Sequence, residues 1–258
     1  TVDLTGITAG GSETQPLRVT ATSSNTDLIA DPVINPISNE GLVAHYTFSG
    51  NADDSSGNSN DGISNGVTFD SHVDGNHGES ALFTDGAYLV LPSMSFGEEF
   101  TLSLQTRTTK SSQILVAKKP AASIDSMQVF LHNGRIHARV YSSNDVFLGR
   151  ISSAIEPDSL DWQTITITYD GGTDASAIRI YLNATQIDEE SEGDGQFTIF
   201  NDLNEITTVG AQNTLNGNIG NFEGHIDNLR IYNRALSAED VHQLYQWETG
   251  KAELNFTP

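Results

Sequence analysis

His225-Ile226-Asp227-Asn228-Leu229-Arg230-Ile231-Tyr232-Asn233-Arg234-Ala235-Leu236-Ser237 is the stretch whose reading decides the fold. Ile226, Asn228, Arg230 and Tyr232 share one parity; Asp227, Leu229 and Ile231 share the other. Apolar groups on both parities predict a pleated strand with both faces largely covered. Ser237 then stands where a helix N-cap belongs, with Asp240 at the reciprocal capping-box position, and Leu236 can staple onto Val241. Val241, Leu244 and Tyr245 supply the apolar stripe of a short helix over about 238–248, which Gly250 can end.

Working outward, Gly41-Leu42-Val43-Ala44-His45-Tyr46-Thr47-Phe48 reads as an opening strand. The loop Gly50-Asn51-Ala52-Asp53-Asp54-Ser55-Ser56-Gly57-Asn58 follows it. Further strand-like runs include Phe100-Thr101-Leu102-Ser103, Trp162–Asp170 and Ile178–Asn183, with Gly, Asn, Asp and Ser between them. Short β runs punctuated by turn residues indicate an all-β sandwich or jelly roll. No repeat recurs at a fixed period, which argues against a propeller or solenoid.

At 258 residues the chain suits one large all-β domain with a small appendage, and a 36% hydrophobic fraction suffices for a two-sheet core. No apolar run is long enough to span a membrane. The opening Thr1 and the missing signal segment read as a processed or excerpted chain. With no cysteine, disulfides, thiolate metal sites and Cys nucleophiles are excluded. A formal net charge of −22 argues against nucleic acid and anionic membrane as partners. The same charge also serves solubility in a salty medium.

Three regions are expected. Residues 1–40 form an N-terminal extension, with short strands at Val2–Thr5 and Leu17–Thr22; Pro32 and Pro36 mark its junction. Forty residues are too few to bury a core alone. The main domain runs over 41–250, and 251–258 is a tail.

Two segments stand out chemically. The loop around Asp53 and Asp54 gathers Asn51, Asn58, Asn60 and Asp61 with no base among them. Calcium needs six to eight oxygens, and such a loop can supply them. The alternative is a solvated turn whose Asp and Asn were chosen for turn geometry. Residues 101–150 carry seven bases, Arg107, Lys110, Lys118, Lys119, Arg135, Arg139 and Arg150, against two acids, Asp125 and Asp145. In Arg135-Ile136-His137-Ala138-Arg139-Val140-Tyr141, alternation sends Ile136, Ala138 and Val140 inward. Arg135, His137, Arg139 and Tyr141 then share an outer face, with Arg107 and Lys118 as further cations. Planar guanidinium groups match carboxylate or sulfate, and Tyr can stack on a sugar. The alternative is simply the polar outer face of a strand. Glu189-Glu190-Ser191-Glu192 reads as an acidic, Gly-flanked loop without apolar partners to raise a carboxyl pKa.

Together, the opening and closing motifs resemble the bacterial LamG-like (laminin G, concanavalin A-like) jelly-roll modules, and the resemblance covers roughly 41–247. Residues 1–40 resemble part of an immunoglobulin-like repeat. One departure is Leu104-Gln105, which stand where the family often has a Trp. The resemblance implies a two-sheet antiparallel jelly roll with adjacent first and last strands and one short C-terminal helix. It also implies a structural calcium between the two motifs, held by Asn51, Asp54, Asn60 and Asp227. The function implied is a non-catalytic carbohydrate-binding or adhesion module, monomeric, within a larger exported protein, secreted or at the cell surface. Its partner would be a polysaccharide, with an anionic one suggested by the basic segment. Jelly-roll glycosidases carry Glu-x-Asp-x-x-Glu, which is absent here. The alternative function is a polysaccharide lyase on a uronate-containing glycan, with Arg135, His137, Arg139 and Tyr141 neutralising the uronate and moving the proton. A purely structural spacer is the third reading.

Overall fold

Turn residues in this chain separate strands of two to nine residues, and those that follow one another within a sheet, such as β7 to β10, pair antiparallel as hairpins. The computed structural model describes residues 39–71, 78–84, 86–118, 126–143, 146–155, 161–193, 195–202, 205–212 and 221–249. The extension expected at 1–40, up to residue 38, and the tail at 251–258 lie outside the described residues, as does Gly250.

Sixteen strands are described. One sheet holds β1 (Leu42–Tyr46), β3 (Thr68–Ser71), β4 (Glu79–Phe83), β6 (Phe100–Arg107), β11 (Gln163–Tyr169), β12 (Ile178–Leu182), β13 (Thr185–Gln186) and β16 (Gly224–Tyr232). Its order is β13-β12-β11-β6-β16-β4-β3, with β1 also paired to β16. The second sheet holds β2 (Ile63–Asn65), β5 (Tyr88–Leu91), β7 (Gln113–Lys118), β8 (Met127–His132), β9 (Arg135–Tyr141), β10 (Phe147–Ala154), β14 (Asp188–Gly193) and β15 (Thr207–Val209). Its order is β14-β10-β9-β8-β7-β15-β5-β2. All the pairings are antiparallel, and the architecture is the expected jelly roll with its first and last strands adjacent.

The core lies between the sheets. Phe100, Leu102 and Leu104 of β6 and Ile165, Ile167 and Tyr169 of β11 are buried on one side. Met127, Val129 and Leu131 of β8 and Ile136, Ala138 and Val140 of β9 are buried on the other. Each of the Val, Leu, Ile, Phe and Met side chains among them contributes about 1.5–3 kcal/mol when fully withdrawn from water. Leu104 fills the core where the resemblance would place Trp, and Gln105, its neighbour, turns to the other face and accepts from Asn228 Nδ2 at 3.2 Å.

β16 departs from simple alternation. Ile226, Leu229 and Ile231 all join the core, so parity changes between them. The register of β16 against β6 shifts between Asp227 and Arg230, and Asn228 adopts φ 46°. Asn tolerates this left-handed conformation better than most residues. The bulge lets β16 pair β4 through residues 224–226 and β1 through residues 229–232.

Contacts divide the chain into Asn39–Ala238 and a second unit of Thr1–Ser38 with Glu239–Pro258. The helix α1 (Ala238–Glu248) has the predicted bounds, with Val241 and Leu244 buried. Among the described residues, no helix is long and apolar enough to cross a membrane.

Candidate functional site

The basic row singled out by alternation lies on β9. Ile136, Ala138 and Val140 do point into the core. On the opposite face, Arg139 donates to Glu192 through Nε at 3.0 Å and Nη2 at 2.7 Å. His137 Nδ1 lies 3.2 Å from the same carboxylate. Arg135 reaches Glu190 at 2.7 Å and Glu189 at 3.2 Å. The Tyr141 hydroxyl is buried and donates to Gln128 Oε1 at 3.0 Å. The row is therefore neutralised from within. The Glu189–Glu192 segment, expected as a loop, is part of edge strand β14. Glu has low strand propensity, but opposite charges on neighbouring strands offset it.

Electrostatics follow this geometry. Burial lowers the His137 pKa, and Glu192 only partly restores it. Burial pulls Arg139 down as well, but Glu192 outweighs it and the guanidinium ends above its ordinary value. Asp188 of the same strand joins the two sheets: it pairs with Arg150 of β10 and accepts from the Ile180 amide of β12 at 3.2 Å. Burial raises its pKa, yet these bonds hold it below the usual carboxylate range.

Lys118 is fully buried. Its Nζ donates to Met94 O at 2.6 Å and Asp202 Oδ1 at 2.5 Å, and burial lowers its pKa against the pull of Asp202. Of the predicted ligand-binding cations, the β9 pair and Lys118 are thus engaged in structural contacts.

The acidic loop has its own internal order. Asp54 Oδ1 accepts from the amides of His45 and Ser56, both at 2.9 Å. Its Oδ2 accepts from the Ser56 hydroxyl at 2.8 Å and the Asn60 amide at 3.0 Å. Burial would raise its pKa; the four donors lower it instead. A carboxylate has about four lone-pair positions, so a cation on Asp54 would have to displace one of these donors. Asn51 bridges to Asp53, and Asn60 Nδ2 donates to Val43 O at 2.9 Å. Asp227 is buried in β16, where one oxygen accepts from the Asn228 amide at 2.8 Å. Among the described residues, no three His, Asp or Glu side chains gather as a metal site.

Arg107 sits elsewhere, in an open groove of about 510 Å³ at the ends of β4, β6 and β16. Leu82, His225 and Arg107 are direct cross-strand neighbours there. Gly224 permits the close approach of these strands: with φ 137°, a Cβ at this position would lie 2.4 Å from Arg107 O. Thr108 Oγ1 fixes the wall, donating to Glu223 O at 2.8 Å and accepting from Gln113 Nε2 at 2.8 Å. Gln113 Oε1 in turn accepts from the Glu223 amide at 3.1 Å. Lys110 and Glu223 pair at 3.1 Å on the exposed rim. The Trp162 ring meets the His225 ring edge-on at 6.2 Å. The sequence names Arg107 and Lys110 among the bases of 101–150 and His225 in the closing motif, but not the groove that brings them together. The groove is made by register between strands distant in sequence, which composition does not reveal.

Several solved structures share this fold. The binding domain of Paraclostridial Mosquitocidal Protein 1 is 20% identical, with TM-score 0.63 over 80% of this chain and 52% of that one. The botulinum neurotoxin serotype D binding domain is 16% identical, with TM-score 0.61 over 81% and 52%. This chain thus spans about half the length of those toxin domains. Domain 4 of AbnA, an extracellular arabinanase from Geobacillus stearothermophilus solved with arabinotriose, is 21% identical, with TM-score 0.59 over 80% and 98%. No curated protein sequence matches the chain. Residues 83–242 match the laminin G profile of the concanavalin A-like lectin/glucanases superfamily, and the chain, which folds as that jelly roll, belongs to that superfamily.

Proposed function

We propose that this chain is a non-catalytic glycan-binding module of a larger exported protein, and that the groove at the ends of β4, β6 and β16 receives the sugar. The observation that carries this reading is that, among the described residues, Glu223 is the one carboxylate lining the groove, and Lys110 holds it at 3.1 Å. Glycoside hydrolysis ordinarily takes two carboxyl groups flanking the scissile bond. A lectin role therefore suits the groove better than a glucanase role. The arabinotriose complex of the AbnA domain supports a sugar as partner for this fold. The lyase alternative gains nothing from β9, since the Tyr141 hydroxyl is buried against Gln128 and Arg139 is closed off by Glu192. Calcium enters the proposal as a brace of the Asn51–Asp61 loop, resting on its density of acids and amides.

The test is calorimetric titration of the full chain with neutral and charged oligosaccharides, beside assays for reducing ends and for unsaturated product. Binding without product is expected. Release of either product would overturn the non-catalytic reading.

A further inference from the structure

We infer that Arg107 is the recognition element of the groove, and that it selects a glycan carrying an oxyanion, a carboxylate or a sulfate. The inference rests on the glycan-binding reading of that groove.

Acids outnumber bases 34 to 12 in this chain, so an unengaged cation is the exception. Lys110, Lys118, Arg135, Arg139, Arg150 and Arg179 each sit in an ion pair. Arg234 donates to Glu40 O, and Arg230 also has a partner. Arg107 alone among the described cations has neither a hydrogen bond nor an ion pair. It lines the groove at the end of β6, where its backbone pairs with His225 and lies against Gly224.

The chemistry follows from the guanidinium itself. Its five donors form a rigid fork that matches carboxylate or sulfate oxygens two at a time. A neutral hydroxyl can accept one of these bonds but leaves the charge uncompensated. The β9 guanidinium groups would first have to give up carboxylates of their own chain. Arg107 has nothing to give up. Lys110 adds a second cation at the rim, tethered by Glu223. The surrounding acids repel a polyanion, so recognition acts locally, within a Debye length of about 8 Å at physiological salt.

The test uses the full chain in chelator-containing buffer, so that calcium cannot bridge a uronate to the protein. The probes are an oligogalacturonate, a sulfated galacto-oligosaccharide and neutral arabino- and gluco-oligosaccharides. A charged probe is expected to bind more tightly than its neutral counterparts. Arg107→Ala should weaken that binding about 10- to 100-fold, and Arg107→Lys, which keeps charge but loses the fork, should recover only part of it. The melting temperature should move little, because the side chain holds no hydrogen bond or ion pair. Arg179→Ala, at an exposed pair whose register runs through Thr168 to Thr101, the other end of β6 from Arg107, should bind as the parent does. The carboxylate and sulfate probes separately report which oxyanion is taken. Equal binding of neutral and charged probes, unaffected by Arg107→Ala, would overturn the inference while leaving a glycan-binding module. Failure of every probe to bind would overturn both.

Discussion

Arg139 and Glu192 meet over the α-carbon of Gly149. Gly149 is the register partner of Arg139 on β9 and of Glu192 on β14. A Cβ on Gly149 would lie 2.6 Å from Glu192 Cγ, so the missing side chain is the space through which the two charges join. The guanidinium carbon also lies 4.9 Å and 4.6 Å from the Phe130 and Phe147 ring centroids. A row of bases that looks like a ligand face in the sequence is therefore part of the scaffold.

Gly149→Ala should cost about 1–3 kcal/mol by overpacking this gap. Glu192→Ala should cost a similar amount, since it leaves Arg139 half-buried without its partner. In a double-mutant cycle by urea unfolding, the Gly149→Ala penalty should shrink once Glu192 is gone. Simple additivity of the two would show that they do not share the gap.

The same three strands show what the sequence made legible. Parity placed Ile136, Ala138 and Val140 in the core and so located β9. The closing motif located β16 and the bounds of α1. What alternation alone could not say is which distant segment lies beside β9. Glu190 and Glu192 repeat with the same period of two as Arg135, His137 and Arg139, and that opposite-charge match was the available signal for β14. In β16, the Asp227-Asn228 bulge switched parity, and Asn beside Asp in an otherwise apolar strand was its mark. The Arg107 groove depends on register across β4, β16 and β6, so it becomes visible only once those strands are paired.

Asp54→Asn should lower stability by about 2–3 kcal/mol even in excess chelator, because an amide replaces an ionised acceptor of four bonds. Thermal and urea unfolding would measure it. The proposed calcium has its own arm. Binding to the folded state adds about 2.7 kcal/mol at a hundredfold excess over Kd. A calcium-dependent rise in melting temperature that disappears in Asp54→Asn would put the cation on this loop; an unchanged melting temperature would count against calcium.

Acid should weaken the fold in two stages. Burial, followed by the charge of Arg230, lowers the His45 pKa from 6.5 to about 4, against the opposing pull of Asn228 and Asp54. As pH falls between those values, the unfolded chain binds the proton and the folded chain does not, so stability drops. The loss approaches about 3 kcal/mol for this shift. Below 3.8, protonation of Asp54, whose folded pKa is depressed, removes stability in the same direction. Urea unfolding from neutral pH downward should show the slope, and His45→Gln should flatten its upper part. An identical slope in His45→Gln would assign the effect to other groups.

Lys118 and Asp202 should be the costliest pair to break. The ammonium is fully buried, 4.3 Å from the Phe96 ring centroid, and bound to Asp202 and Met94 O. The other Asp202 oxygen accepts from the Ser95 hydroxyl at 2.5 Å, the Phe96 amide at 2.8 Å and the Gly97 amide at 3.0 Å. This one carboxylate thus fixes the 95–97 turn against the buried end of β7. The two partners are not equivalent. Asp202→Asn strands a buried cation and weakens three further bonds, so about 3–5 kcal/mol is expected. Lys118→Met keeps a long apolar stem in the same space and leaves Asp202 with its three remaining donors, so the loss should be smaller. Stability measured for both variants should rank Asp202→Asn below Lys118→Met. The reverse order would mean that the ammonium, rather than the carboxylate, holds this corner of the jelly roll.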